Sequence, residues 1–250
     1  MKIVACVKLV PSTETQAKVG GDGKSLDTAG VQYELSFYDD IAVEKAVQTK
    51  EAHGGEVSVL TLGPAAVQKQ LRESLAKGGD DAVLLVDEDW ASRDCRSTAK
   101  AIAEKVQAMG AELVFCGRVA TDRDNAAVGP MVATQLGWAC VTDVIEFDVV
   151  DGKGVAKRET ESGIENYEFS LPAVVTCQKG LAEPRYAGLK GIMAAKKKPL
   201  EEAPAAAVEN NVQVVGLELP PPRPEGRIIG EGAAAVDALM TALRDEAKVL

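Results

Sequence analysis

The strongest constraint on this chain is an alternation that runs through its first two-thirds. Four short apolar, β-branched runs, KIVACVK (2–8), EVSVLTLG (56–63), DAVLLV (81–86) and AELVFCG (111–117), are separated by segments of helical length. The first of these, DDIAVEKAVQTKEAHGG (39–55), sets Ile41, Val43, Ala46 and Val47 near one face, with Asp39 or Asp40 available to cap it and glycines to close it. The second, PAAVQKQLRESLAKGG (64–79), carries proline in its first turn, and the third is SRDCRSTAKAIAEKVQAMG (92–110). Strands this apolar, separated by helices, predict an α/β fold: a doubly wound, mainly parallel sheet covered on both faces. In such sheets ligands collect at the carboxyl ends of the strands.

The pattern changes after Gly137. Residues 139–180 read as strands joined by a turn at Asp151-Gly152, an antiparallel addition to the sheet. From about Pro199 the composition shifts to Ala, Glu and Pro, and PPPRP (220–224) predicts an extended, semi-rigid spacer. The amphipathic segment AAAVDALMTALRDEAKVL (233–250) then needs an apolar face to rest on, on the domain itself or on a partner.

The totals exclude several functions. A net charge of −10 argues against nucleic-acid and anionic-membrane partners, and no apolar run is long enough to insert in a membrane. The first strand begins at Lys2, which leaves no room for a targeting peptide and predicts a chain that is cytoplasmic or already processed. Five cysteines without a CxxC, three of them (Cys6, Cys116, Cys177) in strand-like runs, predict buried free thiols and no metal site. The single histidine, His53, at a helix end, leaves no material for a Ser-His-Asp or Cys-His machine, so no catalytic residue is expected.

Two segments carry candidate chemistry. GRVATDRDNAAVGP (117–130) follows a strand and opens a helix, the position of a nucleotide loop, but lacks dinucleotide glycine spacing. A helix N-terminus offers free N–H groups to an anion; Asp122 and Asp124 would repel a phosphate and suit a helix cap or a ribose hydroxyl instead. The stretch after strand one, KLVPSTETQAK, lacks a phosphate-binding loop, and no Walker A sequence occurs, so a nucleotide here is held rather than cleaved. In GLAEPRYAGLKGIMAAKKKPL (180–200), Pro184 ends the preceding strand and a short helix bears Leu189, Ile192 and Met193. Taken alone it reads first as a satellite core helix with a solvated basic end, and second as a projecting docking element.

The segment KRETESGIENYEFSLPAVVTC (157–177) resembles the signature of electron-transfer flavoprotein beta subunits, in which an R-E-x-D-G-G-x-E run leads into L-P-A-V-V-T. AEPRYAGLKGIMAAKKK, ACVK, YDDIAVEKA, LGPA, the 117–130 loop and the proline arm follow the family's order over essentially the whole chain. Glu161 and Ser162 replace Asp-Gly, and Tyr167 stands where an aliphatic residue is usual. The resemblance implies a nucleotide-binding α/β domain, residues 1–198, and an arm, 199–250, that packs on an alpha subunit. It implies a structural AMP held by Cys6, Ser36, Phe37, Tyr38, Asp39, Leu62 and the run Gly117, Arg118, Val119, Ala120, Thr121, Asp122, Arg123, Asp124, Asn125, Ala126, Ala127 and Val128. The redox FAD is then held mainly by the alpha subunit. It also implies docking of acyl-CoA dehydrogenases through the 185–194 loop, with Arg185, Tyr186, Leu189, Ile192 and Met193, and a tuning role for Glu159.

In the family's electron-bifurcating branch a second FAD replaces AMP and the loop reads D-G-D-T-A-Q-V-G-P. Here Arg123, Asn125 and Ala127 depart from it while Val128-Gly129-Pro130 is kept, so the resemblance favours AMP. A more remote alternative is a stand-alone nucleotide-binding protein of the stress type, which accounts for residues 1–140 and not for the hairpin, the EPRY loop or the arm.

Overall fold

The computed structural model describes residues 1–223 and 225–250. Eleven strands and six α-helices form in chain order among them: β1 (Lys2–Cys6), β2 (Leu9–Pro11), β3 (Tyr33–Leu35), α1 (Phe37–His53), β4 (Glu56–Gly63), α2 (Gln68–Lys77), β5 (Asp81–Val86), α3 (Cys95–Ala108), β6 (Leu113–Gly117), α4 (Val128–Leu136), β7 (Ala139–Val150), β8 (Lys153–Thr160), β9 (Gly163–Ser170), β10 (Ala173–Cys177), α5 (Leu189–Ala195), β11 (Leu200–Pro204) and α6 (Val236–Thr241). Nine strands build one sheet in the order β11-β5-β4-β1-β6-β10-β7-β8-β9. The first seven in that order run parallel, and β8 and β9 extend the sheet antiparallel. The chain thus leaves through the long strand β7, makes the β8–β9 hairpin, and returns as β10 between β6 and β7.

Two-residue periodicity divides the core. Ile3, Ala5, Val57, Val59, Leu113 and Phe115 face one side with α1 and α2; Val4, Cys6, Leu60, Leu62, Val114 and Cys116 face the other with α3 and α4. Strand β1 bonds to β4 on one side and β6 on the other, so its carboxyl end is the point where the winding reverses and a crevice opens.

Three expectations change. Helix α1 begins at Phe37, so Asp39 and Asp40 fall inside its first turn rather than at the cap, which is Ser36. Asp40 pairs with Lys77 at 2.5 Å. Strand β10 ends at Cys177, well before Pro184. Residues 200–204, expected as the start of a free arm, form the edge strand β11 on β5. Beyond it, Ala205 and Ala206 pack against the α3 face, and Asn210 accepts from Asp94 N–H and Ser97 Oγ–H at the start of α3. The chain is thus bonded to the domain up to Val212, and touches it again where Leu217 N–H donates to Gly23 O at 2.9 Å.

From Gln213 to Gly230 the described residues form no helix or strand; Pro224, the last residue of PPPRP, lies outside them. The terminal amphipathic segment is helical in pieces from Ala233 to Glu246, and none of its residues is buried. It finds no apolar face on this domain. Among the described residues no helix is long and apolar enough to cross a membrane.

Candidate nucleotide cleft and docking helix

A cleft of about 910 Å³, its open mouth included, lies at the carboxyl ends of β1, β4 and β6. Its walls include Cys6, Asp39, Leu62, Gly117, Arg118, Val119, Ala120, Arg123, Asn125, Ala126, Ala127 and Val128 from the expected set. Ser36, Phe37, Tyr38, Thr121, Asp122 and Asp124, also expected, do not line it. Ser36 is fully buried and donates from Oγ to Val119 O at 3.3 Å, tying the start of α1 to the loop.

The sequence reading missed Val7, Lys8, Trp90, Arg93, Asp94, Cys95, Thr98, Ile102 and Cys116. Most belong to the segment after β5 and the first turns of α3. The rule that ligands gather at strand carboxyl ends applies to β5 as it does to β6, and would have pointed there.

Asp39 organises the crevice. Its side chain leaves the first turn of α1 and accepts from Lys8 N–H at 2.8 Å and Gly117 N–H at 3.0 Å, so one carboxylate joins the ends of β1 and β6. A Cβ on Gly117 would lie 2.3 Å from Asp39 Oδ1, so the close approach requires glycine. Burial pushes the Asp39 carboxyl up to about 7, against the pull of the two N–H groups and the Lys8 charge. Between the ordinary value of 3.8 and about 7 the folded protein keeps a proton that the unfolded chain releases. Stability therefore falls as pH rises through that window, by on the order of 4 kcal/mol in total. The carboxylates held below their ordinary values of 3.8 or 4.5, Asp22, Glu44, Glu51, Asp94 and Asp148, act in more acid solution and leave the interval from pH 5 to 8 to Asp39. Urea unfolding is expected to give lower stability at pH 8 than at pH 5 in the wild type, and a flat profile over that interval in Asp39→Asn. The same slope in the variant would contradict this assignment.

The aspartates of the loop do not cap α4, whose N-cap is Ala127 without a side-chain bond. Asp122 pairs with Lys8 Nζ at 2.6 Å, and Asp124 adopts a left-handed φ of 52° and is exposed. The first-turn N–H groups of α4 are left without a side-chain acceptor, and Val128 and Gly129 line the cleft. Arg118 Nε sits 2.7 Å from Asp143 Oδ1 but lacks the alignment of a hydrogen bond. Cys116 is pushed well up by its bond to Cys6 and by burial, and Cys177 by burial, so both thiols stay protonated.

On the opposite face of the sheet, α5 rests on α2. Gly191 makes the contact possible, since a Cβ there would meet Ala76 O at 2.4 Å. Ala195 is the buried residue of the helix, while Leu189 is 77% exposed, Met193 57% and Ile192 43%. This overturns the core-helix reading: small residues, not the leucine, occupy the packed side. The basic end is not wholly solvated either, because Lys198 Nζ donates to Leu75 O at 2.9 Å and to Gly79 O, closing the end of α2.

Arg72 NH1 in turn donates to Ala195 O and Lys198 O at 2.7 and 2.6 Å. Arg185 anchors the loop with a fork to Glu44, whose side chain is 4% exposed, and a second to Glu51. Its guanidinium is committed to α1, whereas Tyr186 beside it is 98% exposed. Glu159 is exposed on β8, opposite Ile164 of β9.

The family model for the electron transfer flavoprotein domain matches residues 24–208. The chain belongs to the electron transfer flavoprotein family, on its beta-subunit side. It is 33% identical over 246 residues to the electron transfer flavoprotein subunit beta of Bacillus subtilis, covering 95% of this chain and 96% of that one. It is 34% identical to that of Bradyrhizobium diazoefficiens over the full length of both. It is also 36% identical over 202 residues to the caffeyl-CoA reductase-Etf complex subunit CarD of Acetobacterium woodii, covering 80% of this chain and 77% of that one. An electron-carrier subunit is thus the coarse function, and the signature residues quoted above fall within the matched region.

Proposed function

We propose that this subunit pairs with an FAD-bearing alpha subunit in the cytoplasm, holds AMP in the β1/β6 cleft, and presents α5 to acyl-CoA dehydrogenases whose electrons pass to that FAD. The residues of the cleft fit a nucleoside monophosphate. Leu62, Ile102 and Val119 offer an apolar wall for a base, and the uncapped first turn of α4 offers N–H groups to a phosphate. AMP supplies no redox chemistry there; it stabilises the end of the sheet by occupying it.

The observation that carries the docking role is the contrast within α5. The helix is held by Arg72, Arg185 and Lys198, yet Leu189, Ile192 and Met193 face water. A clamped helix with an apolar outer face suits a partner pocket. Burying a leucine is worth about 1.5–3 kcal/mol, so Leu189→Ala in the heterodimer is expected to raise the apparent KM of a dehydrogenase for the carrier about tenfold. Flavin content and reduction by a small chemical donor stay at wild-type values. A variant that loses flavin, or that accepts electrons from the dehydrogenase as the wild type does, overturns the docking role.

The likeness to a subunit named for a caffeyl-CoA reductase-Etf complex favours a second reading, a bifurcating subunit with FAD in the AMP position. Counting flavins per heterodimer separates the two.

A further inference from the structure

We propose, resting on the nucleotide reading of the same cleft, that Arg123 determines its specificity: the guanidinium latches the 117–127 loop across the mouth and admits a nucleoside monophosphate while excluding a dinucleotide. Three residues of this loop reach across the crevice. Asp122 takes Lys8 Nζ at the end of β1, with both oxygens within 2.7 Å. Asn125 Nδ2 donates to Cys95 Sγ at 3.2 Å, at the start of α3. Arg123 goes further, donating from NH2 to Ala91 O at 2.5 Å and from NH1 to Arg93 O at 3.3 Å, in the turn after β5.

The wall it grips is itself fixed. Arg93 Nε pairs with Asp87 at 2.5 Å, its NH2 donates to Ala206 O at 2.7 Å, and Ser92 Oγ donates to Asp89 Oδ2 at 2.8 Å. The latch therefore closes on a rigid strike, and opening the loop requires breaking charge-assisted bonds. The loop backbone is set for this: Asp124 and Ala126 hold left-handed φ values of 52° and 51°, which alanine adopts at a cost. That cost persists because the cross-cleft bonds offset it. Arg123 spends two donors on carbonyls, leaving the phosphate to the first turn of α4. A dinucleotide adds a second phosphate, a sugar and a ring system, and Arg123, which lines the cleft and is bonded to its opposite wall, narrows the space open to them.

The test titrates full-length protein with AMP and, separately, with FAD by calorimetry. Wild-type protein is expected to bind AMP more tightly than FAD. Arg123→Gly is expected to move the FAD-to-AMP affinity ratio toward FAD by about tenfold or more, as loss of two charge-assisted bonds to the opposite wall allows. Asp122→Asn opens the clamp to β1 and leaves the latch, so it weakens both ligands by a common factor with the ratio unchanged. If Arg123→Gly does not fold, Arg123→Gln, which keeps one amide donor, shifts the ratio the same way by less. A ratio unchanged in the Arg123 variants overturns the latch while leaving the nucleotide reading in place. A wild-type chain that binds neither ligand overturns both.

Discussion

Gly117→Val is expected to collapse both the stability of the fold and the occupancy of the cleft. The added Cβ would stand 2.3 Å from Asp39 Oδ1 and 2.9 Å from Asp39 N and Tyr38 C, so it strikes the first turn of α1 rather than the ligand space. Relief requires moving α1 away from β6, which breaks the bonds from Gly117 N–H and Lys8 N–H to the buried carboxylate. Overpacking and the loss of buried hydrogen bonds together cost roughly 3–5 kcal/mol. For a chain of this length that is a fall in Tm of about 10 °C or more. Added AMP raises the melting temperature of the wild type by mass action and does not raise that of the variant. Gly117→Ala carries the same Cβ and shows most of the loss. A wild-type melting curve for Gly117→Ala would show that the crevice is not built around this contact.

Removing the arm is expected to abolish assembly without unfolding the domain, provided the cut respects the bound segment. Truncation after Lys198 would take away β11, the Ala206 acceptor of Arg93 and the Asn210 bonds at the start of α3, and would destabilise the sheet itself. Truncation after Val212 spares all three. It removes Val214, Val215, Leu217, Leu219, Ile228 and Leu239, apolar side chains that are 44% exposed or more. Apolar residues in this density on an extended arm have no stabilising role until a partner covers them. The truncated chain, co-expressed with its alpha subunit, is expected to remain folded by circular dichroism and to lose co-purification by at least tenfold, since several leucine-sized contacts of about 1.5–3 kcal/mol each are removed. Full-yield recovery of the heterodimer would contradict an arm-mediated interface.

Strand and helix order, the parallel sheet, the hairpin at Asp151-Gly152 and the buried Cys6, Cys116 and Cys177 were legible because each rests on short-range periodicity. What escaped depends on long-range partners. The edge strand Leu200–Pro204 is too short and too acidic to announce itself, and exists because β5 offers a free edge. Asp39 reads as a cap in sequence, and only the approach of Lys8 and Gly117 reveals it as a bridge between strands. Leu189 reads as core by composition, whereas Gly191 and Ala195 are what let α5 lie close to α2. For the cleft, the loop after β6 was visible and the loop after β5 was not, although the same rule covers both.

The most direct test of the account is the cofactor content of the purified heterodimer. The chain co-expressed with its alpha subunit is denatured, and the released flavin and adenine nucleotides are separated and counted against protein. One FAD and one AMP per heterodimer is the expected result. A heterodimer carrying two FAD and no AMP would contradict it.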